Sequence, residues 1–256
     1  MFFQEHNQLR WERVCWQGLR RWYREPLGRS LLASELELLE DILPNLFGYH
    51  VLQLGLPCSA DLLAASRIPH RHRLDWDPDP AVAAPDLLAR PELLPIASDS
   101  VDVVLLPHTL ECVAEPRAVL VEVDRVLIPE GHVVVLGFNP LSSWGARRLL
   151  SNGDAPWCSR FLGARQVSVW LAGQGYDRVD LYYGFYRPPF SSPALLQRLD
   201  WLEHLGGRGW LGGGAIYALI LRKRVSTLTL IGPRWRLRRA LVPQGIANRT
   251  SRKAVE

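Results

Sequence analysis

Residues 51–63, VLQLGLPCSADLL, set the terms for the whole chain. An apolar run from Val51 to Leu54 meets Gly55 and passes at once into what reads as a helix start, with Ser59 as N-cap of SADLLAAS. Strand, glycine turn and helix together open a βαβ unit of the kind that holds a nucleotide at the carboxyl end of its first strand. Such turns usually carry two or three glycines. Here Pro57 and Ser59 stand where later glycines are expected. Gly55 is therefore either a cofactor-facing glycine or simply the end of a strand.

The same texture continues on both sides. Upstream, LRWERVCWQGLRRW (9–22) places Leu9, Val14, Cys15, Trp16, Leu19 and Trp22 mostly at three- and four-residue steps, the mark of an amphipathic helix. EPLGRS (25–30) reads as a break at Pro26 and Gly28. LLASELELLEDIL (31–43) is a second helix ended by Pro44 and Gly48. Downstream, RHRLDW (71–76) is a weaker strand, while VDVVLLP (101–107) and HVVVLGF (132–138) read as strands buried on both faces. Between them AEPRAVLVEVDRVLIPEG (114–131) is a helix, with Pro116 in its first turn and Pro129 and Gly131 near its stop. This alternation predicts a parallel, doubly wound sheet. RQVSVWLAGQGY (165–176) is a further helix. YDRVDLYYGFY (176–186) and GAIYALILRKR (214–224) are late strands joined by the loop HLGGRGWLGGG (204–214), forming an antiparallel edge. The fold class expected is α/β, Rossmann-like and doubly wound. Residues 1–48 form a helical segment capping the sheet, 49–224 the α/β domain, and 225–256 a basic tail expected to be partly disordered.

Composition agrees with one large domain: 256 residues, 48% apolar and 22% charged. No stretch approaches the ~18–20 apolar residues of a membrane helix, and MFFQEHNQLRWERV lacks the layout of a secretory signal. Cys15, Cys58, Cys112 and Cys158 show no CxxC spacing, which argues against a metal site or disulfide framework and for a reducing cytoplasm. The net charge of +4 hides a division: 222–256 hold ten of the 30 Lys/Arg and one acid, Glu256. The tail is either a solvated end or a weak contact for nucleic acid or anionic surfaces.

Ligands of such sheets sit at the carboxyl ends of the strands. Gly55, Leu56 and Pro57 follow the first strand. Asp75, then Trp76, ends the second, twenty residues beyond Gly55, a spacing at which a carboxylate accepts ribose hydroxyls. Pro107, His108 and Thr109 follow VDVVLLP, and Gly137, Phe138, Asn139 and Pro140 end HVVVLGF. Asn139 is a turn residue or a substrate ligand. Trp22, Tyr23 and Trp144 are core aromatics or a lid that attracts a cation. Glu111 reads as a helix start.

The segment LPIASDSVDVVLLPHTLECVAEPRAVLVEVDRVLIPEGHVVVLGFNP (94–140) resembles the second half of a class I S-adenosylmethionine-dependent methyltransferase, type 11-like. The likeness lies in Leu94-Pro95, Ser100-Val101-Asp102, Leu110-Glu111-Cys112 and the run Arg125 to Gly131. GFNPLSSWG (137–145), PLGR (26–29) and FGYHVLQLG (47–55) are similar to a bacterial subgroup of that family. The resemblance implies a seven-stranded sheet and S-adenosyl-L-methionine as cofactor, bound at Gln53, Gly55, Leu56, Pro57, Asp75, Trp76, Pro107 and His108. It implies no metal, and a small-molecule or macromolecular methyl acceptor. His108 is the candidate for the transfer site or a general base, or else a packing histidine.

The first motif departs from the family. Gln53 replaces an acid, Pro57 and Ser59 replace glycines, and Arg90 falls where an adenine-facing acid is usual, with Pro91 lacking a backbone N–H. Two readings stay open: a methyltransferase, or an inactive methyltransferase-fold interaction module using its basic tail. The N-terminal helix, with six Arg and three acidic residues in 1–30, is a candidate cover for the pocket.

Overall fold

The structure is a computed structural model that describes residues 2–80, 84–151, 153, 155–189 and 213–224. Seven strands form one sheet in the order β3-β2-β1-β4-β5-β7-β6. They are β1 (His50–Leu54), β2 (His70–Asp75), β3 (Leu87–Leu88), β4 (Val101–Pro107), β5 (Leu127–Phe138), β6 (Tyr176–Gly184) and β7 (Ile216–Lys223). All pairings are parallel except those made by β7, which runs antiparallel between β5 and the edge strand β6. The fold is therefore the Rossmann-like, mostly parallel seven-stranded α/β sheet that the strand pattern and the resemblance imply.

Strand residues alternate between two cores, as the two-residue side-chain period requires. Val51, Val103, Leu105, Val134 and Leu136 face one cluster; Leu52, Leu54, Val104, Leu106, Val133 and Val135 face the other. The first cluster is covered by α1 (Phe2–Trp22) and α2 (Pro26–Ile42), which bury Trp16, Leu19, Trp22, Leu31 and Leu39 there. The second is covered by α4 (Pro116–Val126) and α6 (Ala164–Ala172), through Val119, Val123, Val167 and Leu171. Two shorter helices, α3 (Thr109–Cys112) and α5 (Ser143–Leu149), follow β4 and β5.

Several local expectations are corrected. Residues 59–66 form a bend and one turn at 62–65, not a helix: the Asp61 side chain accepts the Leu63 amide at 3.0 Å and Ser66 Oγ that of Ile68 at 3.2 Å. Short polar side chains satisfy the local amides and compete with the helical ladder. Pro26 and Gly28 do not break a helix; Pro26 begins α2, where its missing N–H loses nothing. Gly28 is fixed by packing, since a Cβ there would lie 2.1 Å from the Trp22 carbonyl oxygen. The helix across 114–131 ends at Val126, and Pro129 and Gly131 lie within β5, whose pairing with β4 shifts register between Val101 and Val103. The two-residue β3 is an addition. Residues 204–212 of the glycine-rich loop and the tail at 225–256 lie outside the described residues. Among the described residues no helix is long and apolar enough to cross a membrane.

Candidate functional site

The carboxyl ends of β1, β2 and β4 bring the expected residues together. Leaving β1, Gly55 takes φ +92, a left-handed conformation that favours glycine, and its amide donates to the Leu74 carbonyl at 2.7 Å. Gln53 is buried; its Nε2 donates to the Gly55 carbonyl at 2.8 Å, while its Oε1 has no partner. Asp75 ends β2, buried, with Oδ1 accepting the amides of Trp76 at 2.8 Å and Asp77 at 3.3 Å. Trp76 lies beside it, and its indole N–H is also buried without a partner. Leu56 is buried, and Pro57 follows it in the same turn. The resemblance had pointed to Gln53 and Trp76 as well as to Gly55 and Asp75, and the sheet makes them neighbours.

The space in front of these groups is filled by α1. The Trp16 indole lies over Gly55: a Cβ at Gly55 would sit 2.8 Å from a Trp16 ring carbon and 3.0 Å from Thr109 Oγ1. Trp16 stacks on Trp76, with centroids 4.3 Å apart at 30°, and its Nε1 donates to Asp75 Oδ1 at 3.2 Å. One turn further, the buried Arg20 guanidinium donates to Asp75 Oδ2 and the Asp77 carbonyl, and its Nε to the Leu56 carbonyl at 2.9 Å. Burial holds the Asp75 carboxyl above its ordinary pKa, although the Arg20 charge and the backbone amides pull it down. Helix α1 is also fixed along its length. Glu12 accepts the Ala114 amide at 2.7 Å and pairs with Arg90 at 3.0 Å; Gln17 and Arg24 bond Asp77 and Asp79 at 3.0 and 2.9 Å. The departure at Arg90 thus has a partner on α1.

His108 begins the turn after Pro107 at φ +55 and is fully buried. Its Nδ1 and Nε2 lie 2.7 Å from Glu111 and Glu35 carboxylate oxygens, and the Tyr23 hydroxyl donates to Glu35 at 2.9 Å. Glu111 also accepts the Phe138 amide at 2.7 Å. Burial works against a charge on His108. Attraction to Glu35 and hydrogen bonds to both glutamates prevail, pushing the imidazole up to about 10. At neutral pH His108 is an imidazolium with both nitrogens engaged, so in this arrangement it has no lone pair with which to act as a base. Asn139 holds a turn, accepting the Leu141 amide at 3.0 Å and donating to the Gly214 carbonyl at 2.9 Å. Trp22 and Trp144 are core residues, packed edge to face at 5.7 Å.

Sequence reasoning missed Trp16, Arg20 and Glu35. Glu12 and Arg20, each four residues from Trp16 and so on the same helix face, were the available signal. Among the described residues no cluster of three or more metal-ligating side chains is suited to a metal ion.

Comparison with known proteins agrees with this architecture. Residues 69–135 match the methyltransferase domain family. A methyltransferase from Thermotoga maritima described as S-adenosylmethionine-dependent aligns over 80% of this chain and 94% of its own, with TM-score 0.57 and 17% identity. A Haloferax volcanii structure, a complex of the Trm112 methyltransferase activator with a methyltransferase, aligns over 74% of this chain and 88% of that one, with TM-score 0.52 and 15% identity. In sequence, the uncharacterized protein YafS of Escherichia coli is 29% identical over 224 residues, 84% of this chain and 83% of its own. The uncharacterized protein Rv2003c of Mycobacterium tuberculosis is 28% identical over 176 residues, 66% of this chain and 60% of its own length. The matched segment is thus that of a methyltransferase domain, and the solved structures share the fold of this chain.

Proposed function

We propose that this protein is an S-adenosyl-L-methionine-dependent methyltransferase whose cofactor seat is closed by its own helix α1 in the conformation described. One observation carries the reading. Of the four buried side-chain polar atoms without a partner among the described residues, two are Gln53 Oε1 and Trp76 Nε1, which flank the Gly55 turn and Asp75. Buried polar groups are rarely left unpaired, and a ligand with a donor and an acceptor at this place satisfies both. When bound, S-adenosylmethionine supplies an electrophilic methyl group on a sulfonium. With α1 displaced, the Asp75 carboxylate accepts ribose hydroxyls in place of Arg20. Gln53 Oε1 would accept from the ligand and Trp76 Nε1 would donate to it, while the Trp76 face that Trp16 now covers would be open to a flat ring. His108 keeps its proton between Glu35 and Glu111 and fixes the turn beside the seat. Transfer then relies on positioning an acceptor in line with the methyl group, and the acceptor is a small molecule or a macromolecule.

A second reading has its own support. The Arg20–Asp75 pair saturates the carboxylate, as expected of an inactive interaction module whose α1 never leaves. Calorimetric titration with S-adenosylhomocysteine separates the two. Binding by the wild type or by a Trp16→Ala variant supports the enzyme; no binding by either at millimolar concentration supports the module. The basic tail at 225–256 is proposed as a weak nucleic-acid contact, to be tested by removing it across a salt series.

A further inference from the structure

Three cysteines far apart in sequence meet on the flank of α1. Cys15 Sγ is 3.5 Å from Cys112 Sγ and 3.3 Å from Cys158 Sγ, across 97 and 143 residues of chain. Cys15 sits one residue before Trp16, Cys112 ends α3, and Cys158 lies in the loop before α6. Cys15 and Cys112 are buried and Cys158 is partly exposed; none is in a disulfide. The sulfurs of Cys15 and Cys158 need close by only about 1.3 Å to reach an S–S bond of about 2.05 Å.

We propose that Cys15 and Cys158 form a reversible disulfide that latches α1 across Gly55 and Asp75. The assignment of closure as inhibitory rests on the methyltransferase reading above; the latch itself does not. The oxidant is a low-molecular-weight disulfide, RSSR. Cys158, the least buried of the three residues, attacks one sulfur of RSSR as its thiolate; an S–S bond forms to the protein and one RS⁻ leaves, taking up the proton that Cys158 lost. Cys15 then attacks the Cys158 sulfur of this mixed disulfide, and the second RS⁻ departs with the Cys15 proton. The protein loses two electrons, RSSR gains them, and two RSH result. The order follows from the surroundings: the hydrogen bond with Cys112 and burial raise the Cys15 pKa and outweigh the hydrogen bond with Cys158 that lowers it, so the buried Cys15 is a poor first nucleophile and acts intramolecularly. Excess thiol reverses both steps. Because Cys15 adjoins the residue that fills the seat, a bond there holds Trp16 in place.

The test uses the full-length chain, reduced or treated with oxidised glutathione, as wild type, Cys158→Ser and Cys15→Ser. Peptide mapping after thiol blocking should find a Cys15–Cys158 link in the wild type only. Amide exchange over residues 9–22 should slow by about tenfold on oxidation, and S-adenosylhomocysteine affinity should fall by about tenfold, both restored by dithiothreitol. Cys158→Ser should show neither change. A glutathione adduct on Cys158 without the link, a Cys15–Cys112 link instead, or a link that leaves exchange over 9–22 unaltered overturns the latch. A link that slows exchange in a chain that binds no S-adenosylhomocysteine in any state supports the latch and removes the methyltransferase reading.

Discussion

Replacing Trp16 by alanine should weaken the fold and strengthen cofactor binding at once. The indole is fully buried, stacked on Trp76 and bonded to Asp75. Truncating a buried Trp to Ala typically removes about 3–5 kcal/mol, so the apo protein should melt earlier and unfold at lower urea. The same loss falls on the closed position of α1. On the proposed function a nucleoside competes with closure, so each ~1.4 kcal/mol taken from the closed state raises apparent affinity about tenfold, until the open state dominates. With about 3 kcal/mol removed, S-adenosylhomocysteine should bind about 100-fold more tightly to Trp16→Ala than to the wild type. Calorimetric titration of both proteins, with circular dichroism to verify folding, reads this directly. A folded variant with unchanged or weaker affinity would refute the view that the indole occupies the nucleoside's place.

Three further outcomes follow from the same geometry. Gly55→Ala meets both a φ of +92 and a ring carbon at 2.8 Å; it should lose about 1–3 kcal/mol in urea unfolding, part of it regained with Trp16→Ala because the contact goes while the backbone strain stays. Arg20→Met leaves Asp75 buried without its cation and should lose about 3–5 kcal/mol, whereas Arg20→Met with Asp75→Asn should lie nearer the wild type; equal losses would contradict the pairing. His108 has a folded pKa raised to about 10 from an ordinary 6.5. Its contribution is fully present below about pH 6.5 and is lost as pH rises toward 10, by up to about 1.4 kcal/mol per pH unit. The stability difference between wild type and His108→Gln, measured from pH 6 to 10, should therefore shrink with rising pH, and a constant difference would show that the histidine is neutral.

The centre of the sheet was legible because β1, β4, β5 and β7 are largely apolar runs, and Gly55 and Asp75 were singled out because the proposed nucleotide seat calls for a turn and an acid at a set spacing. The helix α1 was legible as a helix, but its task was not. Periodicity registers apolar faces, whereas Glu12 and Arg20 are charged residues buried on the inner side, and their partners lie 36 to 102 residues away. Arg90 stood out as a departure from the family, yet only the fold shows Glu12 opposite it. The run SADLLAAS has a helical composition, but Asp61 and Ser66 turn their side chains onto nearby amides and divert it. The meeting of Cys15, Cys112 and Cys158 left no trace in their spacing because it depends on three separate connections.

Helix α1 joins α2 through only Tyr23, Arg24 and Glu25, with the Gly28 backbone wedged against Trp22. So short an elbow ties the Trp22 end of α1 to the start of α2 and leaves the other end farther from this anchor. At 1.5 Å per residue, Glu12 lies about 15 Å from Trp22, Trp16 about 9 Å and Arg20 about 3 Å. Under the proposed opening, a small swing would lift the far end and bare the Trp76 face first, and the guanidinium near the fulcrum would release its carboxylate last.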